Sequence, residues 1–154
     1  MGTSKITKII IVMGQGALVG KPVAALLRYR GLSYQTITSK TENREYFLQI
    51  ADIVISGIGK GKYITGNKIK SGAVLIDAGT SEDVATTAGE KGSIVGDVDL
   101  ESVRNVASYV SPVPGGVGPV TVAILLNNVL TVAKNLAAEV GNNCLLYTSD
   151  AADE

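Results

Sequence analysis

The chain has 154 residues, 45% of them apolar and 18% charged, enough for one domain with a full hydrophobic core. Lysine plus arginine number 14, as do aspartate plus glutamate, so no basic field exists to attract nucleic acid or an anionic membrane. The absence of histidine, with Cys144 as the single cysteine, excludes serine-histidine and cysteine-histidine catalysis, a disulfide framework and a thiol metal cluster within this chain.

The organising stretch comes early. Residues 8–13 include Ile9, Ile10, Ile11 and Val12 without polar alternation, the pattern of a parallel strand covered on both faces. The strand ends in Gly14, Gly16 and Gly20, and a helix follows with Val19, Val23, Leu26 and Leu27 at helical spacing. Glycines at a strand-to-helix turn let a ligand approach the backbone, and the helix start favours an anion there. The dinucleotide fingerprint is Gly-x-Gly-x-x-Gly; here the third glycine, Gly20, stands one residue late. Gly31 is placed to end the helix.

Residues 33–38 read as a second strand ending in Thr38, Ser39, Lys40 and Thr41. An NAD site places a carboxylate at this point for the ribose hydroxyls, whereas hydroxyl and basic groups suit the 2′-phosphate of NADP, so Ser39, Lys40 and Thr41 point to NADP, with NAD also possible. A short helix over 42–49 leads to a third strand over 52–56 and to Gly57, Ile58, Gly59, Lys60 and Gly61, with the glycines bordering the cofactor. Residues 73–77 form a fourth strand, followed by Ala78, Gly79 and Thr80 on the same edge. Residues 80–92 read as a loop or hairpin projecting from the sheet, 93–95 as a short strand, and Asp97 or Asp99 as the cap of a helix through Val106. Residues 108–110 give the last strand. It enters a loop containing Pro112, Pro114, Gly115, Gly116, Gly118 and Pro119, rigid at the prolines and bare at the glycines. Val122, Leu125, Leu126, Val129, Val132, Ala133 and Leu136 then make one apolar helical stripe, expected to pack as core. No uninterrupted apolar run approaches the roughly 20 residues of a membrane span, and the first residues lack the apolar core of a signal peptide, so a cytoplasmic location without a membrane partner is expected. The succession of strand, glycine and helix specifies an α/β fold: a Rossmann-like doubly wound parallel sheet with helices on both faces.

From Lys8 to Asn135 these motifs resemble the bifunctional methylenetetrahydrofolate dehydrogenase and methenyltetrahydrofolate cyclohydrolase enzymes. Gly14, Gln15, Gly16, Val19, Gly20, Lys21 and Pro22 fit that family's phosphate loop, whose spacing accounts for the late glycine. Ser39-Lys40-Thr41, Asp77-x-Gly79, Gly96-Asp97-Val98-Asp99 and the proline-glycine stretch from Pro112 to Thr121 follow in the same order. The resemblance implies that Gly14, Gln15 and Gly16 hold the pyrophosphate region, Ser39 lies beside the adenosine ribose or its 2′-phosphate, and Thr80 contacts the nicotinamide half. It further implies that Pro112, Pro114, Gly115 and Gly116 face a folate substrate and that the full-length enzyme is a homodimer. Gln15 and Gly16 stand where the family carries arginine and serine, which removes a cation from the phosphate site.

Family members also carry an amino-terminal domain with a catalytic tyrosine and lysine. With seven residues before Lys8, this chain is expected to lack that domain and to hold no catalytic residue itself. Residues 1–143 are read as the NAD(P)-binding domain, and residues 144–154 as a non-native tail resembling the translation of a sequencing adapter. The leading expectation is the cofactor half of a tetrahydrofolate-interconverting enzyme, inactive alone. The alternatives are a free-standing NAD(P)-binding module without chemistry and a shikimate-dehydrogenase-like cofactor domain.

Overall fold

The structure, a computed structural model, describes residues 8–83 and 93–143; the adapter-like tail lies outside them. The chain divides into two compact units, Met1–Gly118 and Pro119–Glu154.

The first unit is built on a five-stranded parallel sheet in the order β2-β1-β3-β4-β7. Its strands are β1 (Ile10–Met13), β2 (Gln35–Ile37), β3 (Ile53–Ser56), β4 (Val74–Asp77) and β7 (Tyr109–Val110). Helix α1 (Gly20–Tyr29) joins β1 to β2, and α2 (Arg44–Ile50) joins β2 to β3. The chain moves one way across the sheet through α1 and the other way through α2, so right-handed crossovers put these helices on opposite faces. The strand order reverses at β1, which makes the crevice outside the carboxyl ends of β1 and β3 the natural ligand position.

All four residues of β1 are buried. Strand side chains alternate between faces, so Ile11 and Met13 join the cluster of Ile37, Leu48, Val54, Ile64, Leu75, Val98 and Val103, while Ile10 and Val12 are buried on the other face. Helix α1 stops where Gly31 takes a φ of +67°. There the Gly31 N–H donates to the Arg28 carbonyl at 3.0 Å and the Leu32 N–H to that of Leu27 at 2.9 Å, the paired closure of a Schellman end.

A two-stranded antiparallel ribbon, β5 (Ser81–Asp83) with β6 (Ser93–Val95), forms the two arms of the hairpin expected beyond Thr80. Helix α3 (Leu100–Val103) is shorter than expected. In the second unit, α4 (Val117–Asn143, its first two residues in the first unit) carries the expected apolar stripe, but Val122, Leu125, Leu126, Val129, Val132 and Leu136 are exposed rather than packed as core. Among the described residues, this unit holds no second element against which the helix could bury them. Over Val117–Ala138 its mean hydropathy reaches 1.5, long and apolar enough by length and composition to cross a membrane. Counting uninterrupted apolar residues missed this, because Thr121, Asn127 and Asn128 break the run without offsetting its average. Core helices of water-soluble proteins meet the same description.

Candidate functional site

The carboxyl ends of four adjacent strands finish level. Ile37 of β2 pairs with Met13 of β1, Met13 with Ser56 of β3, and Ser56 with Asp77 of β4. The next residues continue the ladder: the N–H groups of Gly14, Gly57 and Ala78 donate to the carbonyls of Ile37, Met13 and Ser56 at 2.8, 3.1 and 2.8 Å. Backbone leaves the sheet from one even edge, and the sequence motifs stand along it.

Gly14 turns with a φ of +92°, and a Cβ there would come within 2.8 Å of the Gly57 carbonyl oxygen. At Gly20 a Cβ would strike the Gly14 carbonyl, so the late third glycine is the point where α1 packs directly on the loop. Gly16 differs: an added Cβ would meet no protein atom within 4 Å, so its bareness serves access from outside rather than internal packing. No side chain caps α1, and its first turn contains no acidic residue, so no carboxylate of that turn offsets the positive end of its dipole.

A cavity of about 400 Å³ is lined by Gly14, Gln15, Gly16 and Ser39, with Arg44 and Lys60 at its charged positions. The turn that presents Ser39 is fixed by its neighbours. The Thr38 N–H donates to Thr41 Oγ1 at 3.0 Å, the Lys40 N–H to Thr38 Oγ1 at 3.3 Å and the Thr41 N–H to the Thr38 carbonyl at 3.1 Å. A second cavity of about 280 Å³ shares Gly16 and Gly57 with the first and is lined at its other side by Ala78, Gly79 and Thr80. The two form a trough running from the end of β2 to the end of β4, with the phosphate loop at its middle. Pro112, Pro114, Gly115 and Gly116 line neither cavity. Their loop is nevertheless anchored at this edge, because the Asp77 N–H donates to Ser111 Oγ at 2.7 Å.

Two buried aspartates hold the edge in shape. Asp97, expected as a helix cap, is 0% exposed and caps nothing. Its Oδ2 accepts from Ser56 Oγ at 2.7 Å and from the Ile58 N–H at 2.8 Å, and its Oδ1 accepts from the Lys60 N–H at 2.8 Å. It therefore fixes the loop after β3. Asp99 occupies the N-cap position of α3 but makes no side-chain cap bond. Asp77 accepts from the N–H groups of Gly79 and Val98, both at 2.9 Å. Burial raises its pKa above the usual 3.8 and the nearby Asp97 charge adds to this, against the lowering effect of the donated backbone hydrogen bonds. The two fit reciprocally: a Cβ at Gly79 would strike the Asp97 carboxyl, and one at Gly96 would strike the Asp77 carboxyl.

Residues 2–137 match the family model for the NAD(P)-binding domain of tetrahydrofolate dehydrogenase/cyclohydrolase. The chain belongs to that family. Among relatives of this dehydrogenase/cyclohydrolase domain, the bifunctional protein FolD of Aromatoleum aromaticum is 42% identical over 131 residues, which are 85% of this chain and 44% of the relative. FolD of Elusimicrobium minutum is 46% identical over 119 residues, 77% of this chain and 39% of its own length. The dehydrogenase-cyclohydrolase of Trypanosoma brucei, crystallised with NADP cofactor and an inhibitor, superposes with a TM-score of 0.77 at 38% identity, over 84% of this chain and 44% of that one. The chain thus spans less than half the length of these relatives, and the described part is the family's Rossmann-like NAD(P)-binding domain.

Proposed function

We propose that this chain is the cofactor-binding half of an enzyme that oxidises 5,10-methylenetetrahydrofolate to the methenyl form with NADP and then hydrolyses it to 10-formyltetrahydrofolate. One observation carries the reading: two cavities that adjoin at Gly16 and Gly57, with the bare loop Gly14-Gln15-Gly16 at the middle and Ser39 and Thr80 at the ends. A dinucleotide has that plan, with an anionic centre and a nucleoside at each end. Gly14, Gln15 and Gly16 take the pyrophosphate, Ser39 the adenosine ribose, and the Thr80 backbone the nicotinamide half. NADP when bound supplies the hydride acceptor; this chain's residues position its ring and keep the β4 edge rigid beneath it. Pro112, Pro114, Gly115 and Gly116 form one wall of the folate cleft, beside the nicotinamide end, because Ser111 ties their loop to Asp77.

Residues 1–143 constitute this domain and residues 144–154 a non-native tail. The tyrosine and lysine that act on the folate belong to the family's amino-terminal half, and the complete enzyme is a cytoplasmic homodimer acting on folate without nucleic acid or membrane. A cleft between domains needs both walls to hold its substrate in a reactive geometry. NADP reduction with methylenetetrahydrofolate, assayed for the chain alone and after addition of a family amino-terminal domain, tests this. Activity is expected in the mixture alone; turnover by the chain alone, or none in a mixture shown to associate, refutes the assignment.

A further inference from the structure

We infer that Arg44, seconded by Lys60, is the cationic determinant that selects NADP over NAD in this chain, replacing the loop arginine that Gln15 has displaced. The inference rests on the dinucleotide reading above and adds to it the residues that recognise one phosphate. The cavity beside Ser39 is lined by two charged side chains, Arg44 and Lys60, and by no carboxylate. Glu42, the first acidic residue after β2, lines a separate cavity, which Arg44 and Tyr63 also border. An NAD site requires a hydrogen-bond acceptor for the ribose hydroxyls at the end of β2, and this edge provides cations and hydroxyls instead.

The two cations come from different segments and meet at one aromatic ring. The Arg44 guanidinium carbon and Lys60 Nζ each lie 6.0 Å from the ring centroid of Tyr63, which also lines the cavity. That contact orients them without neutralising them. Lys68 approaches the same ring at 4.6 Å, donates to the Tyr63 carbonyl at 3.2 Å, and lies 3.9 Å from Glu45. Glu45 is thereby turned to Lys68, and among the described residues no carboxylate lies within 4 Å of Arg44 or Lys60. In a chain whose formal charge is zero, two unpaired cations at one cavity wall concentrate positive potential where a phosphate dianion would sit. A planar guanidinium can donate two parallel N–H bonds to phosphate oxygens, which an ammonium cannot do, so Arg44 leads.

The test is calorimetric titration of the intact chain and of Arg44→Ala, Arg44→Lys and Lys60→Gln with NADP, NAD and 2′,5′-ADP, with thermal melts to confirm folding. Arg44→Ala should bind NADP and 2′,5′-ADP about 10- to 100-fold more weakly, the range expected on losing a charge-assisted phosphate contact, while NAD affinity stays within about twofold. Arg44→Lys should recover part of the loss, and Lys60→Gln should show a smaller one of the same selectivity. Equal losses for NADP and NAD, or unchanged NADP binding in Arg44→Ala, would overturn the assignment and leave the dinucleotide reading standing. A parent chain that binds neither dinucleotide would overturn both.

Discussion

Replacing Asp97 by alanine should loosen the loop that separates the two lobes of the trough. The substitution removes the acceptor for three donors, Ser56 Oγ, the Ile58 N–H and the Lys60 N–H. The serine hydroxyl can rotate toward another acceptor, so its loss is small. The two amides are fixed in direction, and a hydrogen bond to a charged acceptor contributes about 1.5–3 kcal/mol. Two such bonds would give about 3–6 kcal/mol, but removing a buried carboxylate relieves desolvation and water can reach Lys60, so a net destabilisation of about 2–4 kcal/mol is expected. For a chain of this length that corresponds to a melting temperature lowered by about 4–16 °C. Differential scanning calorimetry reads the stability. Calorimetric titration with NADP reads the coupling, because Gly57, Ile58 and Lys60 all line the cavity and the variant should bind several-fold more weakly even when fully folded. Asp97→Asn keeps one acceptor oxygen and should fall between parent and alanine variant. A melting temperature within about 2 °C of the parent, with unchanged NADP affinity, would refute the claim that this carboxylate holds the loop.

Gly16→Val should separate binding from folding: with no protein atom within 4 Å of an added Cβ, the melt should shift by less than about 1 kcal/mol while dinucleotide binding is abolished. Equal affinity in parent and variant, measured by calorimetry, would remove the loop from the site. Asp77 predicts an unusual pH dependence. Its pKa in the folded chain is raised above 3.8, so it favours folding fully below that value, and the contribution is lost as pH rises through the folded pKa. Asp77→Asn cannot titrate, so the stability of the parent relative to the variant should decline with rising pH in that window. Denaturant melts from about pH 3 to about pH 7 would show a constant difference if Asp77 were not perturbed.

The parallel sheet was legible because β1 has no polar alternation and because a glycine or hydroxyl residue follows each strand of the sheet within two residues. The late Gly20 broke the general fingerprint, yet the family spacing anticipated it and the contact with the Gly14 carbonyl explains it. What sequence could not disclose was convergence. Arg44 and Lys60 belong to segments before and after β3, and only the crossover brings them to one ring. Asp97 was misjudged because an aspartate just before a helix most often caps it. The available signal was the spacing of Asp77-x-Gly79 and Gly96-Asp97, in which each aspartate has a small neighbour to admit the other. The stripe on α4 was correctly apolar, but periodicity reports which face is apolar and not what covers it.

The reciprocal fit of Gly79 with Asp97 and of Gly96 with Asp77 encloses the excursion that leaves and rejoins the sheet edge between them. Both ends of that excursion are pinned to the same two carboxylates, so the separation of its ends is set by the edge and not by the number of residues between. The β5–β6 ribbon is consequently an insulated port. A foreign segment spliced into residues 84–92 would inherit fixed attachment points, and its size would not be transmitted to the strand ends that hold the dinucleotide.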